Sequence, residues 1–278
     1  MNEHLLADLN EALPVLQEFL GEERPTCAIV LGSGLNSFAD SLESVRFLPY
    51  ADMPHMNVST ATGHKGRFAL GRVPATTKMV LCMQGRLHAY EGNTPWDVAF
   101  PIWLMARAGV KVLITTNAAG AINPDFHVGD FCMMEDQINF TGRNPLVGVE
   151  PNMIAERFVP MKDAFDPQLR SIAHSVAESQ GLVLRSGVYL GLLGPSFETP
   201  AEIRMFASWG ADTVAMSVVE EVIAARHVGM RVFGMSLLTN MACGVENGDP
   251  CSDDIMEAAS IAESKFQTLM SGMIGRIG

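Results

Sequence analysis

The sequence predicts a single α/β domain spanning residues 1–278, with a central, largely parallel or mixed sheet flanked by helices. Two observations carry this prediction. Short continuous apolar runs such as Cys27-Ala-Ile-Val-Leu31 alternate with longer stretches of helical spacing, the pattern of strands buried on both faces and joined through helices. No linker, internal repeat, low-complexity tract or charge block divides the chain, so its length is expected to fold around one core.

Residues 5–20 (LLADLNEALPVLQEFL) recur in apolar character at helical spacing and predict the first helix. Cys27–Leu31 predicts the first strand, ending at Gly32. Further strands are expected at 79–83, 110–116, 183–190, 213–217 and 232–238, and helices at 95–108, 167–180, 199–209, 218–228 and 252–275. Residues 141–153 (TGRNPLVGVEPNM) lack periodicity and read as a long loop, either functional or a plain surface connection.

Nineteen Lys and Arg against 31 Asp and Glu give a net charge of −12. That balance argues against nucleic acid as a partner and requires any anionic ligand to be held locally. The five cysteines are scattered without a C-x-x-C pair, so they predict reduced thiols in a cytoplasmic protein, with no disulfide frame or zinc site. Met1-Asn2-Glu3-His4 lacks the basic and apolar regions of a signal peptide. The longest apolar run, Ala99–Ala106, is interrupted by Pro101 and falls far short of a membrane span.

Five strand ends carry small or polar groups, the place where α/β sheets bind ligands. Gly32-Ser33-Gly34 offers backbone N–H groups and a hydroxyl to an anion. It is equally a tight strand-to-helix turn, and Ser37 stands where a dinucleotide fingerprint needs its third glycine. Gly63-His64-Lys65-Gly66 is a basic turn without the Walker pattern. In Gly85–Gly92, Arg86, His88 and Tyr90 occupy alternating positions and share one side if the segment is extended. Arginine can grip an anion bidentately, and a protonated histidine adds a donor. Thr116–Gly120 ends in small residues that let a ligand approach the backbone. In Gly194–Thr199, Phe197 and Glu198 precede a helix start at Thr199-Pro200, where Glu198 could serve only as an acid of the first turn. Thr239-Asn240 closes the last strand, a usual place for a turn residue.

Taken in order, LGSGLNSFAD (31–40), GHKGRF (63–68), QGRLHAYEG (84–92), TNAAGAIN (116–123), GPSFETPAEIRMF (194–206), GADTVAMSVVEEVIAARH (210–227) and LLTNMACG (237–244) resemble the trimeric purine nucleoside phosphorylases over nearly the whole chain. The resemblance implies phosphate-dependent cleavage of the N-glycosidic bond of inosine, guanosine and their 2′-deoxy forms in purine salvage. Inorganic phosphate would be co-substrate, with no metal or organic cofactor. It places Ser33, His64, Arg86, His88, the backbone of Ala118 and Ser217 around phosphate, and Tyr90 and Met216 at the ribose. Phe197, Glu198, Thr239 and Asn240 fall at the base, with Asn240, Glu198 and His88 in catalytic roles. Phe158 resembles an aromatic that reaches into a neighbouring subunit's site, which implies a homotrimer.

Three positions depart from the family pattern. Ser252 stands where a histidine often meets the ribose 5′-hydroxyl, Glu220 replaces a proline before Glu221, and Leu192 replaces the tyrosine of xanthosine-accepting members. The methylthioadenosine phosphorylases, which share this fold, carry Asp where this chain has Thr239-Asn240. A xanthosine-accepting enzyme or a methylthioadenosine phosphorylase is the nearest alternative. A nicotinamide-dependent oxidoreductase and a non-catalytic purine-binding protein are more distant ones.

Overall fold

The computed structural model describes residues 4–61, 63–246, 248–249 and 252–278, leaving aside the side chains of 252–256. In chain order the elements are α1 (Leu5–Leu20), β1 (Cys27–Leu31), α2 (Ser37–Asp40), β2 (Glu43–Pro49), β3 (Arg67–Arg72), β4 (Met79–Gln84), α3 (Pro95–Arg107) and β5 (Val112–Ala121). They continue with β6 (Phe131–Asn139), α4 (Pro167–Ser179), β7 (Leu184–Gly191), α5 (Pro200–Ser208), β8 (Thr213–Ala215), α6 (Val219–His227), β9 (Arg231–Met241) and α7 (Ser252–Arg276).

The strands form one sheet in the order β2-β3-β4-β1-β5-β8-β7-β6-β9, and β9 pairs again with β5. Strands β5, β8, β7, β6 and β9 therefore close on themselves. Parallel pairing joins β1 to β4 and β5, β5 to β9, β6 to β7 and β7 to β8. The β2-β3-β4 meander and the β5–β8 and β6–β9 pairs are antiparallel, so the sheet is mixed.

Alternation along β1 explains its uninterrupted apolar run. Ala28 and Val30 face a core built with α1, α3 and α6, while Cys27, Ile29 and Leu31 face one built with α2, α4 and α7. With helices on both faces, no strand position meets water, and each Val or Leu buried this way contributes roughly 1.5–3 kcal/mol. The helices start on chemistry visible in their letters. Thr94 and Asp97 form a reciprocal cap before Pro95 on α3, and Thr199 and Glu202 do the same before Pro200 on α5.

The expected helices appear within a few residues of their predicted limits. Three strands were not anticipated. Strand β2 is an exposed edge with little apolar signal, β3 is short, and β6 changes from buried FCMM to the polar EDQIN. Two motifs expected beyond strand ends lie inside strands, because β5 runs on through Thr116–Gly120 and β9 through Thr239-Asn240. No described helix is long and apolar enough to cross a membrane.

Candidate active site

A cavity of about 330 Å³ opens at the carboxyl ends of β1, β4, β5, β7, β8 and β9. Its wall includes Ser33, Arg86, His88, Tyr90, Ala118, Phe197, Glu198, Met216, Ser217, Thr239 and Asn240. These are eleven of the thirteen positions expected from the sequence, gathered from six strand ends; His64 and Phe158 remain outside the wall. Gly32 lets the first of them come close. A Cβ there would sit 2.6 Å from Asn117 Cα and 2.7 Å from the Thr116 carbonyl, so any side chain would push β1 from β5. The helix that follows, α2, has four residues, too short for the dinucleotide cradle that the alternative oxidoreductase reading needs.

Arg86 is 1% exposed and forks onto a residue the sequence did not single out. Its Nε and Nη2 donate to the two carboxylate oxygens of Glu221 on α6, at 2.8 and 3.0 Å. Its Nη1 donates to the Thr116 carbonyl at 2.6 Å, and Nη2 also to Thr115 Oγ1 at 2.9 Å. Four of about five guanidinium N–H groups thus end on protein, and one Nη1 N–H is left without a protein acceptor in a side chain that lines the cavity. The bidentate grip expected on an anion is instead a grip on Glu221. Arg86 can offer an anion its charge and a single donor.

Residues 85–92 are not one extended segment. Strand β4 ends at Gln84, Ala89–Glu91 form a 3-10 turn, and Gly92 is left-handed. Arg86, His88 and Tyr90 still meet at the cavity wall, where His88 stacks on Tyr90 with centroids 4.5 Å apart and on His64 at 5.1 Å. His88 Nδ1 lies 2.9 Å from Glu91 Oε1. A carboxylate only accepts, so the Nδ1 proton is fixed and Nε2 remains to exchange a proton with a ligand. Glu91 also accepts from the Thr60 amide and hydroxyl, which holds its carboxyl well below the usual range. Burial pushes His88 below the ordinary histidine range although Glu91 opposes the shift. His64, desolvated by burial, lying beside His88 and without a carboxylate in hydrogen-bond contact, falls to about 4. Both imidazoles are therefore neutral at neutral pH, so the extra donor that a protonated histidine would add is not present there.

Glu198 is 9% exposed and burial raises its carboxyl above the usual range. The first-turn acid that caps α5 is Glu202, whose carboxylate accepts from Thr199 N at 2.7 Å. Glu198 is thus released from helix capping and lines the cavity beside Phe197. Asn240 Oδ1 accepts from Thr239 Oγ1 at 3.0 Å, and Nδ2 donates to the Met241 carbonyl at 3.0 Å. One Nδ2 N–H is left over. Gly120 leaves room for that amide, since a Cβ there would stand 3.0 Å from Nδ2.

Three expected positions behave differently. His64 supports His88 from behind rather than lining the wall; its Nδ1 lies 3.1 Å from Ser59 Oγ and 3.2 Å from the Arg86 amide. Phe158 is 84% exposed and borders a separate surface cavity of about 880 Å³, shared with Val147, Met161 and Ile223. Leu192 lies in the apolar cluster beneath α5 and borders a small pocket next to Glu198. The Ser252 side chain lies outside the described residues. Asn117 and Glu221 escaped attention in the sequence. Two adjacent acids inside the otherwise apolar VVEEVIAA were the available signal for Glu221, because a carboxylate buried in such a helix needs a basic partner.

One cavity thus joins basic and hydroxyl groups (Arg86, His88, Ser33, Ser217) to an aromatic ring, a carboxylate and an amide (Phe197, Glu198, Asn240), a lining able to receive an anion beside a planar polar ring. A family model described as the phosphorylase superfamily matches residues 26–275. Purine nucleoside phosphorylase 1 of Geobacillus stearothermophilus is 41% identical over 266 residues, covering 95% of this chain and 96% of that one. Crystal structures of Schistosoma mansoni purine nucleoside phosphorylase with inosine and with adenosine superpose with a TM-score of 0.91 at 33% and 34% identity, each over 98% of this chain. The chain belongs to the phosphorylase superfamily and, within it, to the purine nucleoside phosphorylases.

Proposed function

We propose that the chain cleaves the N-glycosidic bond of 6-oxopurine ribonucleosides and 2′-deoxyribonucleosides by phosphorolysis. The products are free base and (deoxy)ribose 1-phosphate, and inorganic phosphate is the co-substrate without further cofactor. The observation that supports this most is the gathering of Arg86, His88, Glu198 and Asn240 around one cavity.

In the reaction the C1′–N9 bond breaks and its electron pair goes to the purine. A phosphate oxygen forms the new bond to C1′ through a sugar with oxocarbenium character. Phosphate would sit among Ser33, Arg86, His88, the Ala118 backbone and Ser217, with its own charge countering the developing cation. Holding it there turns a bimolecular encounter into a positioned attack. The leftover Nδ2 N–H of Asn240 would donate to N7 as negative charge gathers on the leaving base. Tyr90 and Met216 flank the space for the ribose.

Glu198 would set the base. A 6-oxopurine presents N1–H to a carboxylate, whereas adenine presents a lone pair and leaves both partners unpaired. A Schistosoma mansoni relative is seen in complex with inosine and also with adenosine, so the selectivity proposed for this chain is sought in the rate as well as in binding. Base release should be measured from inosine, guanosine, xanthosine, adenosine and methylthioadenosine, each with and without phosphate. Phosphate-dependent release from inosine and guanosine is expected, with adenosine slower by about a hundredfold or more. Equal release without phosphate would make the enzyme a hydrolase, and fast release from adenosine or methylthioadenosine would overturn the role of Glu198.

The chain is further proposed to act as a cytoplasmic homotrimer with Phe158 supplied to the neighbouring subunit's ribose site. Exposure of a bare phenyl at 84% supports this, as do the neighbouring Val147 and Val149 at 70% and 68%. Truncating so exposed a side chain in a self-sufficient monomer would change little. In a shared site Phe158→Ala is expected to raise the KM for inosine about tenfold. Sedimentation mass and inosine KM measured together check it; an unchanged KM removes Phe158 from the site.

A further inference from the structure

Glu220, next to the residue that holds Arg86, is 6% exposed among Val218, Val219 and Val222, where an apolar side chain would pack without desolvating a charge. Its Oε1 forms an ion pair with Nε of Arg143 at 2.9 Å, a charge contact without the alignment of a hydrogen bond. Nη2 of Arg143 donates to the Asn93 carbonyl at 2.6 Å. The Asn93 amide in turn donates to the His88 carbonyl at 2.9 Å and accepts from Asn57 Nδ2 at 2.9 Å. The Arg143 carbonyl closes its own turn by accepting from Asn139 Nδ2 at 2.9 Å. A continuous polar path thus runs from α6, across the 139–143 turn, to the backbone of the 3-10 turn that carries His88 and Tyr90.

We infer that Glu220, acting through Arg143 and Asn93, is a positioning residue that sets the place of His88 and Tyr90 in the cavity. Its catalytic consequence rests on the phosphorolysis reading, while its geometric consequence does not. The two adjacent acids of α6 divide the work. Glu221 holds the guanidinium of Arg86 directly, and Glu220 holds the turn beyond it. Tyr90 depends on this path because it is 36% exposed and is steadied by its stack on His88. Both carboxylates sit in the first turn of α6, where the helix dipole favours negative charge.

Two variants break the path at different links, Glu220→Gln and Asn93→Ala. Each is expected to raise the KM for inosine about tenfold, short of the roughly hundredfold that a 1 Å misplacement of reacting groups can cost. The double variant is expected to be no worse than either single one, since both act through one path. The substrate-free enzyme offers a second readout, the NMR titration of the His88 imidazole. Around it stand Glu91, Arg86, Glu221, His64 and Tyr90. In both variants the loosened ring gains water and titrates at higher pH than in the parent. Lowered thermal stability with unchanged inosine KM and unchanged His88 titration would make Glu220 merely structural and overturn the inference, as would additive effects. If the parent enzyme cleaves no nucleoside, the functional reading falls by itself, and the His88 titration still decides the path.

Discussion

Replacing Glu221 by glutamine is expected to cost about 3–5 kcal/mol of folding stability, the usual result of leaving one member of a buried ion pair alone. For a chain of this length that corresponds to a Tm lower by roughly 6–15 °C. The reason lies in what remains. Arg86 keeps its charge at 1% exposure, and a glutamine can return only one acceptor to the fork formed by Nε and Nη2. Its amide nitrogen would face either the guanidinium or Thr115 Oγ1, which now donates to Glu221 at 2.6 Å. The guanidinium, still held by the Thr116 carbonyl and Thr115 Oγ1, is then expected to turn toward the cavity it lines. Bound phosphate should partly rescue the variant, because a ligand that binds only the folded state raises its stability with concentration. Thermal denaturation with and without phosphate, beside the phosphate KM, measures both effects. The double variant Arg86→Met with Glu221→Leu should recover most of the stability and none of the activity, since matched apolar residues can replace a buried pair. A Glu221→Gln enzyme with parental Tm and phosphate KM would mean that Thr115 and Thr116 hold Arg86 without help.

The fold was legible wherever local chemistry and packing agree. The Cys27–Leu31 run is apolar throughout because helices cover both of its faces, and Thr199-Pro200 starts α5 through a cap written in adjacent letters. Strand β2 left little trace because an edge strand with exposed Glu43, Ser44 and Arg46 buries too little to need a pattern. The wall of the site was legible for the same local reason, since small and polar groups accumulate at strand ends. Its partnerships were not. Arg86 and Glu221 are 135 residues apart, and no spacing rule joins them. Reading Arg86 alone assigned its fork to an anion, and only the folded chain shows that the fork is already occupied. The burial of His64 and His88, which sets their charge, depends equally on contacts that no short window contains.

Replacing Asn240 by alanine is expected to lower kcat for inosine by about a hundredfold to a thousandfold, the range seen when one donor to a developing anion is removed. Its amide is held by neighbours on both sides, so the free N–H is aimed before substrate arrives. Thr239 Oγ1 donates to Oδ1, and Nδ2 is anchored on the Met241 carbonyl. Preorganisation of this kind matters most where charge appears only in the transition state, so the loss should fall on kcat. The phosphate KM should stay within about a factor of two of the parent, because Asn240 shares no hydrogen-bond partner with Arg86 and a change there acts on a separate group. Stability should hardly move, since alanine at 240 leaves the β5–β9 backbone pairing of Gly120 with residue 240 in place. Thr239→Ala tests the anchoring separately. It leaves the amide present but held by the Met241 carbonyl alone, and a smaller fall in kcat is expected than for Asn240→Ala. A parental kcat in Asn240→Ala would place the stabilisation of the leaving base elsewhere, with Glu198 and Thr239 as the other polar groups expected at the base. A large rise in phosphate KM in the same variant would instead mean that the two halves of the cavity are coupled through β5 and β9.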